Sequence, residues 1–218
     1  LLNRVYASDL QIIGVRMLQL AREGSRFADS LHNSLSVKRK KNQNIQAYLE
    51  KALPKIKSFE FSIIHPDDMG EMRLAVEKIL PDFDEGLEKS LFVDDMMELC
   101  KFFQNITESK MINVKLQVVK DNMCRLFHED NNHQRLLCTY LGSGTEWVED
   151  AFINRKRLGK GNNRRVILDW DKVQHAENFE VIVLRGKLFG GLKKGAVHRS
   201  PPLKSPADHR VLLKIDEI

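Results

Sequence analysis

Cysteine is scarce in this 218-residue chain, and the three it has do not pair. Cys100, Cys124 and Cys138 are odd in number, widely spaced and without a C-x-x-C, which excludes a disulfide framework. A reducing compartment, the cytoplasm, is the expectation. Long apolar runs are missing too: none approaches the roughly 20 residues of a membrane span. No charged-then-apolar signal segment is visible, although the chain opens at Leu1-Leu2 instead of Met, which leaves room for a processed leader. Charge of one sign is in short supply. Charged residues make up 30% with both signs mixed, and the net charge of +5 argues strongly for neither an acidic ligand nor a nucleic acid. The basic, glycine-containing stretch Asn154 to Arg165 has no aromatics interleaved with its cations. Without that stacking platform it reads as a solvated loop, and a nucleic-acid partner is not expected. Finally, Gly142-Ser-Gly-Thr145 lacks the Gly-Lys-Ser/Thr ending of a P-loop, so it reads as a tight hairpin.

What is present begins with enough apolar residues, 42%, to build a sizeable core. The first half reads helical. Leu10, Ile13, Met17, Leu20, Phe27, Leu31 and Leu35 fall at helical steps, weakened at Gly14 and Gly24. Lys38 to Lys41 is a basic linker. A short helix from Asn44 to Leu53 stops at Pro54, and Phe59 to Ile63 alternates as a strand. Pro66 and Asp67-Asp68 open a helix to about Leu80, and Val93 to Thr107 forms another with an apolar stripe. Beyond about Ser109 the pattern becomes that of strands: Ile112–Val118, Cys124–His128, Arg135–Leu141, Arg165–Asp169, Phe179–Leu184 and Arg210–Ile215. Turn residues separate them at 121–122, Gly142 to Gly144, Gly159 to Asn163, Gly190-Gly191 and Pro201-Pro202. Short strands without helices between them predict a β-sandwich or barrel. The expected division is a mainly helical region at 1–108 and a β-domain at 109–218, the first packed on the second.

Phe127-His-Glu-Asp130 is the stretch with chemistry. Residues i and i+2 of a strand share a face roughly 6–7 Å apart, so His128 and Asp130 can reach one ion while Glu129 points away. His198 in Gly195-Ala-Val-His-Arg is the best candidate for a third ligand. Two imidazoles and a carboxylate on one side of a metal form the facial triad of non-heme Fe(II) oxygenases. Arg210, twelve residues beyond His198, has the planar fork that holds a 2-oxo acid's distal carboxylate; pairing with Asp208 or Asp216 is the plainer alternative. Tyr140 is a second candidate for that carboxylate, or a buried hydroxyl with a backbone partner. Arg199 is read as second to the ligands or facing the rim, and Trp147 as packing over the barrel mouth or as ordinary core. His133, five residues from His128, falls on the opposite face. Cys124 would stand about 13 Å from His128 on a strand, too far for a nucleophile–base pair, and reads as a buried small apolar group.

These blocks carry a resemblance. The order H-x-D, glycine turn, strand, G-x-x-H and a following Arg resembles the double-stranded β-helix of Fe(II)/2-oxoglutarate oxygenases. More closely, Cys124-Arg-x-Phe-His-x-Asp130, Arg135-Leu136, Thr139-Tyr-x-Gly-x-Gly-Thr-x-Trp147 and Gly195 to Pro202 resemble the domain of unknown function 1826 family, with Ser143 in place of an expected Pro and Glu129 in place of an apolar residue. The resemblance implies an α+β fold: a C-terminal cupin-like jelly roll with the N-terminal helical region packed on it. The oxygenase likeness implies Fe(II) and 2-oxoglutarate as cofactors and a small-molecule or protein substrate. A non-catalytic cupin-like protein holding Zn(II), for example in zinc handling, is the alternative.

Overall fold

The longest helix among the described residues begins where a left-handed Gly86 (φ 73°) lets the chain turn into it, and ends at Glu108 in the same conformation. This helix, α4 (Leu87–Thr107), buries Phe92, Val93, Met96, Leu99, Cys100, Phe102 and Phe103, a stripe wide enough to face a sheet. In the computed structural model, which describes residues 19–63, 68–83, 86–121, 124–191, 194–203, 205 and 208–218, three helices precede it. They are α1 (19–28), α2 (Gln43–Ala52) and α3 (Met69–Ile79). Asn42 caps α2 by accepting from the Asn44 and Ile45 amides, and Pro54 and Pro81 follow the ends of α2 and α3. Leu10, Ile13 and Met17 of the expected first helix, Pro66 and Asp67 of the third, and Asn122 of the first expected turn lie outside the described residues.

Among the described residues, ten strands make two antiparallel sheets. In chain order they are β1 (Ser34–Val37), β2 (Phe59–Ile63), β3 (Ile112–Val119), β4 (His128–Glu129), β5 (Gln134–Leu141), β6 (Glu146–Val148), β7 (Gln174–His175), β8 (Val181–Arg185), β9 (Val197–Arg199) and β10 (Arg210–Glu217). The larger sheet runs β1-β8-β5-β10-β3-β2 and the smaller β4-β9-β6-β7. Period-two alternation splits the larger sheet cleanly. Val114, Leu116, Leu136, Cys138, Tyr140, Val181, Val183, Val211, Leu213 and Ile215 join the helices in one core. Leu137, Ile182, Leu184 and Leu212 point the other way and meet Trp147 and Ala196 of the smaller sheet's side. The result is α+β, a sandwich of two sheets with helices over the outer face of the larger one. The first half contributes β1 and β2, both edges of the larger sheet.

Three expectations need correction. Leu35 is in strand β1, because Ser34 to Val37 pairs with Val181 to Leu184 and tertiary pairing overrides a helical step in sequence. Arg165 to Asp169 is not a strand: Asn162 caps a helical turn, Asn163–Val166, and Ile167 makes a single bridge to Ile153. Cys124 is not on a strand either. It is exposed, with φ 55°, and the backbone after it is taken by Asn163, whose side chain accepts from the Phe127 amide (2.9 Å) and donates to the Arg125 carbonyl (2.9 Å).

One buried side chain ties the helices to the sheet. Arg185, at the end of β8, donates to the carbonyls of Phe27 (2.9 Å), Ala28 (3.2 Å), Ser30 (2.7 Å) and His32 (2.8 Å), where α1 ends. The rings of Phe27 and Phe189 each lie 4.2 Å from its guanidinium.

Candidate metal centre

β4 and β9 pair with His128 opposite His198, and β9 and β6 pair with His198 opposite Trp147. Since opposed residues share a face, all three side chains project from the inner face of the smaller sheet, towards the larger one. Asp130 follows β4 directly. Its Oδ1 is 3.6 Å from His128 Nε2 and its Oδ2 is 3.3 Å from His198 Nε2. The three ligand atoms lie within 4.8 Å of one another, and the imidazole centroids are 4.6 Å apart. Glu129 points outward, accepting from Arg155 and from the Gly195 amide.

The imidazoles are oriented for ligation. His128 Nδ1–H donates to the Leu126 carbonyl (2.8 Å) and His198 Nδ1–H to the Ala196 carbonyl (3.2 Å). With Nδ1 so engaged, Nε2 is the nitrogen of each ring that faces the cluster, and it offers its lone pair once a metal takes the place of its proton. Burial, then the neighbouring His198, pushes the His128 pKa down, which favours the neutral ligand form. Burial works against ionisation of Asp130, but the hydrogen bond and charge of His198, then Arg135 and His128, outweigh it and hold the carboxyl well below its usual range. Two imidazole nitrogens and an anionic carboxylate are a donor set that fits a divalent ion.

Arg135, named in the sequence only within a family block, was not read as a site residue. Its Nη1 donates to Asp130 Oδ2 and its Nε to Asp216 Oδ1 (2.5 Å). Lys214 Nζ stands 3.3 Å from the other oxygen of Asp216. The signal that could have found Arg135 is a cation breaking an otherwise apolar strand five residues from Asp130.

Arg210 begins β10 on the face that carries Leu212, directed between the sheets. It is 1% exposed, and its Nε and Nη1 have no hydrogen-bond partner among the described residues. Nη2 stands 3.5 Å from Thr139 Oγ1. Burial brings its pKa down to about 10, against a smaller opposing influence of Glu146. Asp216 pairs with Arg135 and Lys214, so it does not serve Arg210.

Tyr140 has to be taken out of the site. It shares the helix-facing side of β5 with Leu136 and Cys138, and its hydroxyl donates to Asp95 Oδ2 (2.6 Å). Arg39 grips the same carboxylate with two nitrogens (2.7 and 3.0 Å). Thr139, one residue earlier, is the β5 hydroxyl that faces the site. Arg199 points outward to Glu146 and lies over the rings of Phe127 (4.6 Å) and Trp170 (5.5 Å). Trp147 is 8% exposed and packs with Leu137, Ile182 and Leu212, as wall of the space between the sheets. His133 is exposed and outside the cluster.

Among solved structures, the Fe(II)/α-ketoglutarate-dependent dioxygenase TqaL is similar to this chain at 13% identity with a TM-score of 0.53, over 94% of this chain and 88% of that one. That likeness shows the fold, a cupin-like jelly roll. A full-length Neurospora crassa protein in complex with α-KG matches at 11% identity and TM-score 0.44 over 93% and 78%. A Pseudomonas putida prolyl-4-hydroxylase matches at 8% and 0.42 over 90% and 97%. No curated protein matches the chain. The chain belongs to a family described as protein of unknown function, DUF1826, whose sequence model matches residues 25–216. Among the described residues no helix is long and apolar enough to cross a membrane.

Proposed function

We propose that this protein is an Fe(II)- and 2-oxoglutarate-dependent oxygenase. His128, Asp130 and His198 would hold the iron, and Arg210 with Thr139 the distal carboxylate of the keto acid. Iron supplies oxygen activation when bound, and the keto acid supplies the electrons for it. The chain's own residues do the rest. Leu126 and Ala196 carbonyls hold the two rings with Nε2 towards the site. Arg135 pairs with Asp130 and holds its direction. Leu137, Ile182, Leu212 and Trp147 form an apolar wall that keeps water from the reacting centre.

The observation that carries this reading is Arg210. A buried guanidinium with two unpaired nitrogens is an anion site by its chemistry. A zinc-holding protein without a cosubstrate would leave it with no anion. In the test, anaerobic Fe(II) and 2-oxoglutarate are added together and the visible charge-transfer band is followed. The band is expected in the wild type, absent in His128→Ala, and weakened at subsaturating keto acid in Arg210→Met with iron affinity unchanged. Iron bound in a folded protein with no band at any keto-acid concentration would overturn the proposal.

A further inference from the structure

From Ala151 to Leu168 the chain carries six cations and no acid: Arg155, Lys156, Arg157, Lys160, Arg164 and Arg165. This segment is fastened to β4 at both ends. Arg155 binds Glu129, the residue between the two β4-side ligands, and donates to the Gly195 carbonyl (2.8 Å). Asn163 binds the backbone of Arg125 and Phe127, the residues leading into His128. β4 is an edge strand of the smaller sheet, and the His128 side chain is 33% exposed there. Arg155 is neutralised by Glu129 and Asp150. The other five are exposed, as is Arg125, and none of these six forms an ion pair among the described residues. Like charges gathered without counter-ions raise the local potential and attract a polyanion.

The fold also brings in the aromatic that the basic stretch lacks in sequence. Trp170, 43% exposed, lies edge-to-face with Phe127 at 6.1 Å. Phe127 is the residue whose amide Asn163 holds, so the indole sits beside the cations. Leu126 and Leu168, also exposed, add apolar surface. Asp169 and Asp171 flank the tryptophan, and the cationic run ends there.

We propose that this face, beside the open side of the metal centre, docks single-stranded nucleic acid. Four of the six cations outside ion pairs are arginine, which matches phosphate oxygens in pairs, and an exposed indole offers a stacking surface to any base. A single strand is required because a base held in a duplex cannot reach a site between two sheets. An acidic protein would use the cations and leave Trp170 without a role. The inference rests on the oxygenase reading only for where the strand leads. Docking itself does not need the metal.

The test is fluorescence anisotropy of a fluorescein-labelled oligo-dT 15-mer with the full chain in EDTA, from 50 to 200 mM salt. Affinity is expected to fall log-linearly with salt. Lys156→Glu/Arg157→Glu/Arg164→Glu/Arg165→Glu, with the glutamine quartet beside it in case the reversal does not fold, should make the slope shallower by about three, at roughly 0.7 for each phosphate no longer neutralised. Trp170→Ala should weaken binding about tenfold with the slope unchanged. Each variant should still give the iron–keto acid band of the wild type. Three results would overturn the proposal: no salt-dependent binding, a folded quartet that binds like the wild type, or displacement of the oligonucleotide by poly-L-glutamate as effective as by unlabelled oligo-dT. The last would mean that the face reads charge alone, as a protein-docking surface does. Because the assay is metal-free, failure of the oxygenase reading leaves its outcome unaffected.

Discussion

Arg210 keeps its charge at 1% exposure with two nitrogens unpaired, and that arrangement has a thermodynamic sign. Burial lowers its pKa from the usual guanidinium range to about 10. Above that value the unfolded chain binds more protons than the folded one, so the penalty is in force below about pH 10 and is relieved as pH rises further. At pH 7–8, without ligand, Arg210→Met should therefore be at least as stable as the wild type, with a melting temperature higher by about 2 °C or more. 2-Oxoglutarate should raise the wild-type melting temperature and leave that of the variant unchanged. A lower melting temperature for the unliganded variant would mean that the guanidinium is already satisfied. Tyr140 makes the opposite case. Tyr140→Phe removes one donor from a buried carboxylate that keeps Arg39, a loss of about 1–3 kcal/mol. It should lower the melting temperature without changing keto-acid affinity, and a changed affinity would return Tyr140 to the site.

At the scale of elements, strand parity decided what could be read in advance. The i, i+2 rule separated His128 and Asp130 from Glu129, and the structure has that separation. The same rule applied to β5 assigns Leu136, Cys138 and Tyr140 to one face and Thr139 to the other, but which face looks inward depends on the helices, which a local pattern does not register. Ser34 to Val37 was hidden for a related reason: its partner, β8 (Val181–Arg185), is remote in the chain. Cys124 to Phe127 looked like a strand because its composition suits one, yet an Asn163 side chain replaces the neighbouring strand. The turn between β5 and β6 was legible from its glycines, but it is a crossover from the larger sheet to the smaller and not the expected hairpin, because β5 pairs with β8 and β10 while β6 pairs with β7 and β9. Gly142 has φ 85°, and a Cβ there would collide with the His209 carbonyl and press on Arg210 Cγ at 2.9 Å. Gly142→Ala should thus displace the start of β10 and weaken keto-acid binding several-fold, with metal affinity, measured by equilibrium titration of Fe(II), unchanged. Equal loss of both would indicate general unfolding.

For the whole molecule, the two sheets divide the work. The larger sheet is braced by helices on its outer face and offers Arg135, Thr139 and Arg210 on its inner face, while the smaller sheet carries His128 and His198. The brace depends on Arg185, whose guanidinium gathers four carbonyls at the end of α1. An α-helix that ends on a side chain of another element is attached as by a latch, and the latch can be removed without touching the metal centre. Trypsin or thermolysin acting on Arg185→Met should therefore cut near residues 19–33 first, leaving a nicked protein that still gives the iron–keto acid band. In the wild type the same bonds should survive until the whole fold opens. Resistance of α1 to cleavage, a property the cell's proteases read directly, would then reside in one arginine.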